Sequence, residues 1–187
     1  MQWNDHKYMR GKHAIFTCSN PCWAHYNAER AVDYVEKQMA KERGTALHEY
    51  AEQAIKLRQR QRGNCKDTIC MYVNDALGYR LQPEVLLYYS DRFFGTADAI
   101  GYDEDNRFLR IHDLKTGSGP VHPEQLLAYA ALFCLEYHKN PYDIQCELRI
   151  YQNNDKFIFT PTSEEIKQMM DQIIMLDMAT STMDIGV

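Results

Sequence analysis

The segment FGTADAIGYDEDNRFLRIHDLKTG, residues 94–117, decides the fold of this chain. Residues 94–102 and 108–114 are rich in side chains that strands favour, and the polar run DEDNR at 103–107 separates them. Two such runs joined by a short polar turn predict a β-hairpin. The rest of the fold is predicted outward from this hairpin.

Apolar spacing and turn residues predict the elements that precede the hairpin. Residues 85–89 are strand formers bounded by Pro83 and Ser90, so the hairpin completes a three-stranded meander. Gly44 separates the first two of three predicted helices. These helices are predicted at residues 27–39, 45–60 and 68–77.

A helix, two strands and a last helix are predicted after the hairpin. Pro123 suits the first turn of a helix. Strands are predicted at residues 144–151 and 156–160, and Thr162 with Glu165 has the spacing of a capping box. This order predicts an α/β fold with a mixed sheet flanked by helices, because a crossover helix lets the fourth strand run parallel to a neighbour.

Length and composition favour a single domain. The chain has 187 residues, of which 45% are hydrophobic, which suffices for one well-buried core but not for two ordinary domains. We expect a helical segment at residues 1–43, a core at 44–176 and a frayed tail at 177–187.

The sequence also carries an expectation about location. Residues 1–10 are polar and charged, unlike a signal peptide, and no stretch approaches the roughly eighteen apolar residues of a membrane span. We therefore expect a cytoplasmic protein without membrane contact. In that setting the cysteines are interpreted as free thiols or metal ligands rather than as a disulfide framework. They are Cys18, Cys22, Cys65, Cys70, Cys134 and Cys146.

The charge distribution is more informative than the net charge of -5. That value argues against a protein that coats nucleic acid by bulk electrostatics, but it is compatible with an enzyme that has opposed acidic and basic patches. A basic run, KLRQRQRGNCK, occupies residues 56–66. It is equally well interpreted as a solvated helix face or as a phosphate-binding segment. The phosphate-binding candidates are Arg58, Arg60, Arg62 and Lys66.

Two carboxylates and a lysine are predicted to meet on the hairpin. Asp113 and Lys115 are two residues apart on the third strand, so their side chains point to one face. Asp98 lies on the neighbouring strand and can approach Asp113 across the ladder. Carboxylate oxygens suit Mg²⁺ or Mn²⁺, and an adjacent lysine can orient or deprotonate a water or stabilise an oxyanion.

Five short motifs occur in order along the chain and together resemble a known family. They are His48 in GTALHEYAE, Glu84 in QPEVLL, Asp98 in GTAD, Asp113 with Lys115 in DLK, and Gln125 with Tyr129 in QLLAY. This order resembles the RecB-like, phage exonuclease-like branch of the PD-(D/E)XK nucleases, whose motifs are a helical His, Glu, GxxD, (D/E)xK and QxxxY. The resemblance covers residues 44–135 and implies a restriction-endonuclease-like core.

The resemblance also implies roles for these residues. His48, Asp98, Asp113 and the backbone carbonyl of Leu114 would bind Mg²⁺ or Mn²⁺, and Lys115 would be the catalytic base or the group that positions water. Three further residues would lie in the active centre: Glu84, Gln125 and Tyr129. Glu84 is equally well interpreted as a surface residue, and core packing is the favoured interpretation of Tyr129 alone.

The cysteines depart from one variant of this family. Some members hold an iron–sulfur cluster with one early and three late cysteines, but only Cys146 follows the QxxxY helix here. We therefore expect no iron–sulfur cluster. Cys18, Cys22 and His25 could contribute to a zinc site, but no fourth ligand is evident, and small buried thiols are favoured.

The function implied by the resemblance is metal-dependent hydrolysis of DNA phosphodiester bonds. An exonuclease that acts on linear ends in recombination or end processing is favoured by analogy. The alternatives are a structure-specific or restriction-type endonuclease and a non-catalytic DNA-binding subunit on a nuclease fold. Residues 12–27, followed by GTALHEYAE at 44–52, also resemble the amino-terminal region of phage-encoded RecB-like nucleases, which suggests a phage or mobile-element origin. A homo-oligomer or a recombination partner protein would be compatible with this role.

Overall fold

The computed structural model describes residues 14–18, 21–62 and 65–182 of the chain. The polar start at residues 1–10 and the last part of the predicted tail, residues 183–187, lie outside the described residues. The chain divides into two units, Met1–Thr45 and Ala46–Val187. This division falls close to the predicted limit between the helical segment and the core, and the single domain stays a prediction.

Four α-helices and five strands carry the fold. The helices are α1 (Ala28–Lys56), α2 (Thr68–Gly78), α3 (Glu124–Glu136) and α4 (Ser163–Thr180). The strands are β1 (Gln82–Ser90), β2 (Phe93–Asp103), β3 (Phe108–Leu114), β4 (Gln145–Gln152) and β5 (Asp155–Phe159). Short 3-10 helices lie at Cys22–His25 and Pro141–Asp143.

The strands form one mixed sheet in the order β1-β2-β3-β4-β5. Strand β3 pairs with β4 in parallel, and the other three pairs are antiparallel. The predicted meander, the crossover through α3 and the mixed α/β class are therefore confirmed. Ile150 and Tyr151 are adjacent on β4 but pack in different apolar clusters, as alternate residues of a strand do. Helices α3 and α4 cover one cluster, and α2 with the end of α1 covers the other.

The prediction of two helices separated by Gly44 is wrong, because α1 continues through that residue. A glycine inside a helix costs only about 1 kcal/mol relative to alanine, and the good helix formers on both sides outweigh it. The helix also ends at Lys56, earlier than the predicted residue 60. Arg58 there adopts a left-handed backbone conformation with a φ of 53°. Residues 57–62 of the basic run are therefore a loop and not a solvated helix face.

Two other boundaries differ from the prediction for identifiable reasons. Strand β1 begins before Pro83, which is tolerated because β1 is an edge strand. The chain does not fray after Leu176, since α4 continues to Thr180. Ser90 donates a hydrogen bond of 2.6 Å to the carboxylate of Asp177, which ties the end of α4 to the end of β1. The predicted capping box of Thr162 and Glu165 is present in both halves.

The unit Met1–Thr45 contains a small aromatic cluster within its described residues. Phe16 packs on Trp23 and Tyr34, with ring centroids 6.1 and 5.7 Å away, respectively. Cys18 and Cys22 are both exposed, so their interpretation as buried thiols is wrong. This segment is too small to bury them. Among the described residues, these cysteines do not belong to a group that could hold a metal.

One pair of cysteines lies close together in the structure, and the interpretation as free thiols or ligands stays a prediction for this pair. The Cα atoms of Cys65 and Cys70 are 5.1 Å apart. That separation suits a disulfide, and the turn into α2 creates it. Cys134 and Cys146 are free and buried, as expected for small apolar thiols. Among the described residues, none of the helices has the length and apolar character that crossing a membrane requires.

Candidate metal centre

The centre of the candidate site is a fork in the sheet at Asp98. The ladder between β2 and β3 ends at the pair Ala99 and His112, one position short of Asp98 and Asp113. Beyond that point β2 remains paired with β1, and β3 remains paired with β4. The Asp98 carboxylate fills the gap, because its Oδ2 accepts a hydrogen bond of 2.8 Å from the backbone N–H of Leu114. Asp98 is thereby held at the branch point.

The backbone carbonyl of Leu114 is one of the predicted metal ligands. In an extended strand the N–H and C=O of one residue point to the same side. Because the Leu114 N–H faces Asp98, its carbonyl lies on the side of Asp98 as well. The neighbouring Lys115 N–H points the other way and donates to the carbonyl of Tyr151 at 2.9 Å. The role of the Leu114 carbonyl as a metal ligand stays a prediction.

Glu84 lies opposite Asp98 on the other side of β2. Pro83 pairs with Ala99 and Val85 with Ala97, so the register sets Glu84 against Asp98, yet the two do not form a ladder pair. Glu84 instead has a φ of 52°, in the left-handed region. This conformation costs roughly 1 to 2 kcal/mol for a residue with a side chain. Pairing of β2 is therefore interrupted at Asp98 on both of its edges.

His48 reaches the same point from α1. It precedes the buried residues Ala51 and Ile55 by three and seven positions, so it lies on the face of the helix that packs against the sheet. Its Nδ1 is 3.6 Å from Asp98 Oδ2. One ligand atom each from His48, Glu84 and Asp98 lies within 4.8 Å of the others, a spacing that can hold a metal ion. The predicted ligand Asp113 is outside this group of three, whereas Glu84 is inside it.

Asp113 and Lys115 form the adjoining half of the site. The Lys115 ammonium donates a hydrogen bond of 3.1 Å to Asp113 Oδ1 and one of 2.8 Å to Gln125 Oε1. Asp113 Oδ2 is also 3.1 Å from that nitrogen as an ion pair, but it accepts no hydrogen bond from the described residues. The nearby ammonium offsets part of the cost of burying this oxygen, but the oxygen still has room to accept a hydrogen bond. A cation or an ordered water would satisfy it.

Helix α3 completes the chain of contacts with Gln125 and Tyr129. Gln125 Nε2 donates to the Tyr129 hydroxyl at 3.4 Å, so contacts run from Tyr129 through Gln125 to Lys115. The Tyr129 ring lies against Gly95, the first residue of the GTAD motif. A Cβ atom added to Gly95 would be 2.9 Å from Tyr129 Cε1. The glycine is therefore needed for the close approach of the ring, and Tyr129 contributes packing as well as a polar contact.

Burial and like charge shape the electrostatics of this centre. Burial, followed by the charge of Asp113, raises the pKa of Asp98 to about 6. Burial also raises the pKa of Asp113, although the Lys115 ammonium opposes the shift. The pKa of Glu84 is raised by burial and by the charge of Glu52. Carboxylates crowded in this way gain when a cation binds between them.

Two buried neighbours were not predicted from the sequence. Burial and the charges of Asp98, Glu84 and Asp113 raise the pKa of Tyr72 well above its usual value, so its phenol stays neutral next to the carboxylates. Tyr72 has mostly apolar neighbours in the sequence of α2, so the sequence did not indicate that it lies near these carboxylates. The His112 side chain lies on the face of β3 opposite to that of Asp113, and burial lowers its pKa to about 3. It contacts Tyr151 and not the carboxylates of the fork.

The donor set fits the divalent ions that the sequence predicts. Mg²⁺ uses one or two carboxylates and keeps several waters, which Asp98 and Asp113 can satisfy. Mn²⁺ also suits carboxylates, and the imidazole of His48 extends the set toward transition metals. The buried Asp113 Oδ2 without a hydrogen-bond donor and the raised pKa of Asp98 both fit a group of positive charge.

The predicted phosphate-binding residues are not among those that meet at this centre. Arg58, Arg60, Arg62 and Lys66 are all exposed. Arg58 and Arg60 line one cavity, whereas Arg62 and Lys66 do not.

No family model, no curated protein and no solved structure matches this chain. The geometry of the centre and the sequence motifs are therefore the grounds for a functional assignment.

The raised pKa of Asp98 predicts that replacing it with asparagine stabilises the metal-free protein. The folded state holds the Asp98 proton to about pH 6, whereas the unfolded chain releases it near pH 4. The wild-type protein therefore loses stability relative to Asp98→Asn as the pH rises from 4 to 6. Above pH 6 the variant should be more stable by roughly 1 to 3 kcal/mol, and below pH 4 the difference should vanish.

Urea unfolding in chelator across this pH range measures the difference. Asp103→Asn is the matched control, because hydrogen bonds from Asn106 lower the pKa of this exposed hairpin carboxyl and the pH dependence should have the opposite sign. A variant Asp98→Asn that is less stable than wild type at pH 7 would contradict the buried-charge account.

The contact between Gly95 and Tyr129 predicts strong coupling between these residues. Gly95→Ala should destabilise the protein by roughly 1 to 3 kcal/mol, because the added methyl group displaces the ring. In the Tyr129→Ala background the same change should cost much less. Gly117→Ala is the control, since a Cβ there has no neighbour within 4 Å. A double-mutant cycle measures the coupling, and additive effects of the two changes would refute the contact.

Proposed function

We propose that this protein is a divalent-metal-dependent DNA nuclease with a core of the PD-(D/E)XK type. The observation that supports this most is the meeting of His48, Glu84 and Asp98, from one helix and two strands, at the fork where Asp113 and Lys115 lie. These residues belong to separate motifs that are dispersed along the chain. Chance occurrence of the motifs would not require them to converge.

Each side chain has a distinct task in this proposal. Asp98 and Asp113, with His48, hold the cation, which when bound would lower the pKa of a coordinated water and neutralise charge on the scissile phosphate. Glu84 adds a carboxylate on the exposed side of the group, where a second ion or a water can be held. The hydrogen bond from Leu114 fixes the orientation of Asp98.

Lys115 is the residue that acts on the water and the phosphate. Its ammonium group is fixed by Asp113 and Gln125, at 3.1 and 2.8 Å, and remains partly exposed. A cation fixed in this way stabilises negative charge as it develops on a phosphate oxygen and orients the attacking water. Gln125, itself in contact with Tyr129, positions the lysine.

The substrate proposed is linear DNA, degraded from its ends. End dependence rests on the resemblance alone, and a structure-specific or restriction-type endonuclease would use the same metal chemistry. The complete set of ligands and the lysine argue for a catalyst over a non-catalytic DNA-binding subunit. A cytoplasmic location in a bacterial or phage-infected cell, with a recombination partner or a homo-oligomeric assembly, would suit this role.

Activity should require Mg²⁺ or Mn²⁺, and linear DNA should be degraded faster than covalently closed circles. The measurement compares single- and double-stranded DNA of both topologies, with each ion and with excess chelator. Cleavage at full rate in chelator would disprove the metal assignment. Equal rates on both topologies would preserve the metal chemistry and identify an endonuclease.

Variants of Asp113 and Lys115 should fail in different ways. Lys115→Ala should lose turnover yet bind Mn²⁺ at least as tightly, because an ammonium near the cation is removed. Asp113→Asn should lose both turnover and Mn²⁺ affinity, because a neutral amide does not offset the dehydration of the ion.

Calorimetric Mn²⁺ titration and single-turnover cleavage separate the two effects. Lys139→Ala is the matched control, since Lys139 also pairs with a carboxylate, that of Glu104 at 3.1 Å, and should retain activity. Wild-type turnover by Lys115→Ala, or undiminished Mn²⁺ affinity in Asp113→Asn, would show that the roles are assigned wrongly.

A further inference from the structure

A cavity of about 630 Å³ lies where α1 and α2 end and β1 begins. The described residues that line it are three arginines, one glutamine and three aliphatic residues, without a carboxylate among them. The lining residues are Ile55, Arg58, Arg60, Leu77, Arg80, Leu81 and Gln82. Arg80 is 20 residues or more from the other two arginines in sequence, so the basic run alone did not reveal this cluster.

Arg58 and Arg80 occupy equivalent positions at two helix ends. The N–H of Gln59 bonds to the carbonyl of Ala54, and the N–H of Leu81 bonds to that of Ala76, as in a Schellman motif. Arg58 and Arg80 are the left-handed residues of these motifs, with φ values of 53° and 59°. Glycine usually occupies this position because a Cβ atom is unfavourable there. Two arginines at one cavity therefore suggest a function for their side chains.

The loop that carries Arg60 is held in place by its neighbour Gln61. The Gln61 N–H donates to Asn74 Oδ1 at 2.9 Å, and Asn74 Nδ2 donates back to the Gln61 carbonyl at 3.1 Å. The Tyr50 hydroxyl donates to Gln61 Oε1 at 2.6 Å. Arg60 is thus presented by an anchored segment, which lowers the ordering cost of binding a ligand.

The guanidinium groups of the cavity are available for a ligand. Over the described residues, the side chains of Arg58, Arg60 and Arg80 make no ion pair and no hydrogen bond. By contrast, Arg110 and Arg149 both donate to Glu147, at 3.2 and 2.9 Å. Three cations around one cavity repel one another and favour an anion of high charge density.

The cavity is connected to the candidate metal centre through two short segments. Ile55 follows His48 by seven residues on the same helix, which corresponds to about 10 Å along its axis. Gln82 precedes Glu84 by two residues of strand β1, which corresponds to about 7 Å. A DNA strand rises roughly 3.4 Å per nucleotide along the helix axis, and successive phosphates are further apart than this rise, so these lengths span at most about two or three nucleotides.

We propose that this arginine cavity binds a backbone phosphate of the DNA strand no more than about three nucleotides from the bond that is cleaved. The inference rests on the proposed nuclease function for the identity of the polymer. It assigns phosphate contacts to Arg58, Arg60 and Arg80, and it excludes Arg62 from them.

Two other roles are open to Arg80. Positive charge at the carboxyl end of a helix complements the helix dipole, and Arg80 borders a second cleft that includes Asp103, Glu104 and Asp105. Either of these would give Arg80 a role in stability alone.

Glycine variants separate binding from stability. Arg58→Gly and Arg80→Gly remove the side chain and relieve the left-handed backbone, so their melting temperatures should not fall, while DNA binding weakens. Arg107→Gly is the matched control, since Arg107 is exposed, has a φ of 51° and lies outside the cavity. Arg60 and Arg62 lie in the loop and do not have a left-handed backbone, so they are replaced by alanine instead of glycine.

The measurement is fluorescence anisotropy with a labelled 20-nucleotide single strand in EDTA, where no cleavage occurs, between 50 and 300 mM salt. Each phosphate contact contributes about 0.7 to the slope of log K against log salt on a single strand. The slope should fall by roughly that amount for Arg58→Gly, Arg60→Ala and Arg80→Gly, and should not change for Arg62→Ala and Arg107→Gly.

Three outcomes would overturn the inference. They are an unchanged slope for Arg80→Gly, an equal loss for Arg62→Ala, and lower melting temperatures of the glycine variants with unaltered binding. Calorimetry with inorganic pyrophosphate distinguishes a site for small free anions, which would bind pyrophosphate through Arg80 but leave the DNA slope unchanged. Cleavage assays with Mn²⁺ are independent of these titrations. If the slopes are as expected but DNA is not cleaved, the phosphate site stands and the nuclease assignment is wrong. If DNA is cleaved but the slopes do not change, the nuclease assignment stands and the phosphate site is wrong.

Discussion

The hydrogen bond from the Leu114 N–H to Asp98 Oδ2, at 2.8 Å, is the interaction on which the candidate site depends. Where β2 and β3 separate, backbone donors would otherwise lose their partners inside the protein, which is costly. The Asp98 side chain replaces the missing strand contact. It thereby keeps the fork open and holds a carboxylate within reach of His48, Glu84 and Asp113.

The same fork explains why the site is costly to the fold. Burial raises the pKa of both Asp98 and Asp113, Glu84 adopts a left-handed backbone, and one oxygen of Asp113 accepts no hydrogen bond from the described residues. Added positive charge would favour the ionised forms of Asp98 and Asp113, whereas the backbone conformation of Glu84 is a cost of its own. These features occur together at one point of the sheet, as expected where stability is given up for a binding site.

Local patterns explain why much of the fold could be predicted from the sequence. The hairpin of β2 and β3 and the capping box of Thr162 depend on neighbouring residues, and both are confirmed. The failures also concern local structure. Gly44 lies inside a continuous helix, and the close approach of Cys65 and Cys70 depends on a turn that the composition of the chain does not reveal.

The candidate site was predictable to a similar extent. Spacing and order predicted that Asp98, Asp113 and Lys115 would meet, and they lie together at the fork. The left-handed conformation of Glu84 and the joining of Arg80 to the basic loop depend on how strands and helices end in three dimensions. Residue types alone do not specify such junctions.

The most direct test of the central claim is a crystal structure of the protein with Mn²⁺, in which anomalous scattering locates the ion. The account predicts a peak bonded to Asp98, Asp113 and His48 at about 2.1 Å. Mn²⁺ bound elsewhere, with no peak at Asp98 and with the His48 imidazole and the carboxylates of the fork in contact with water alone, would contradict it.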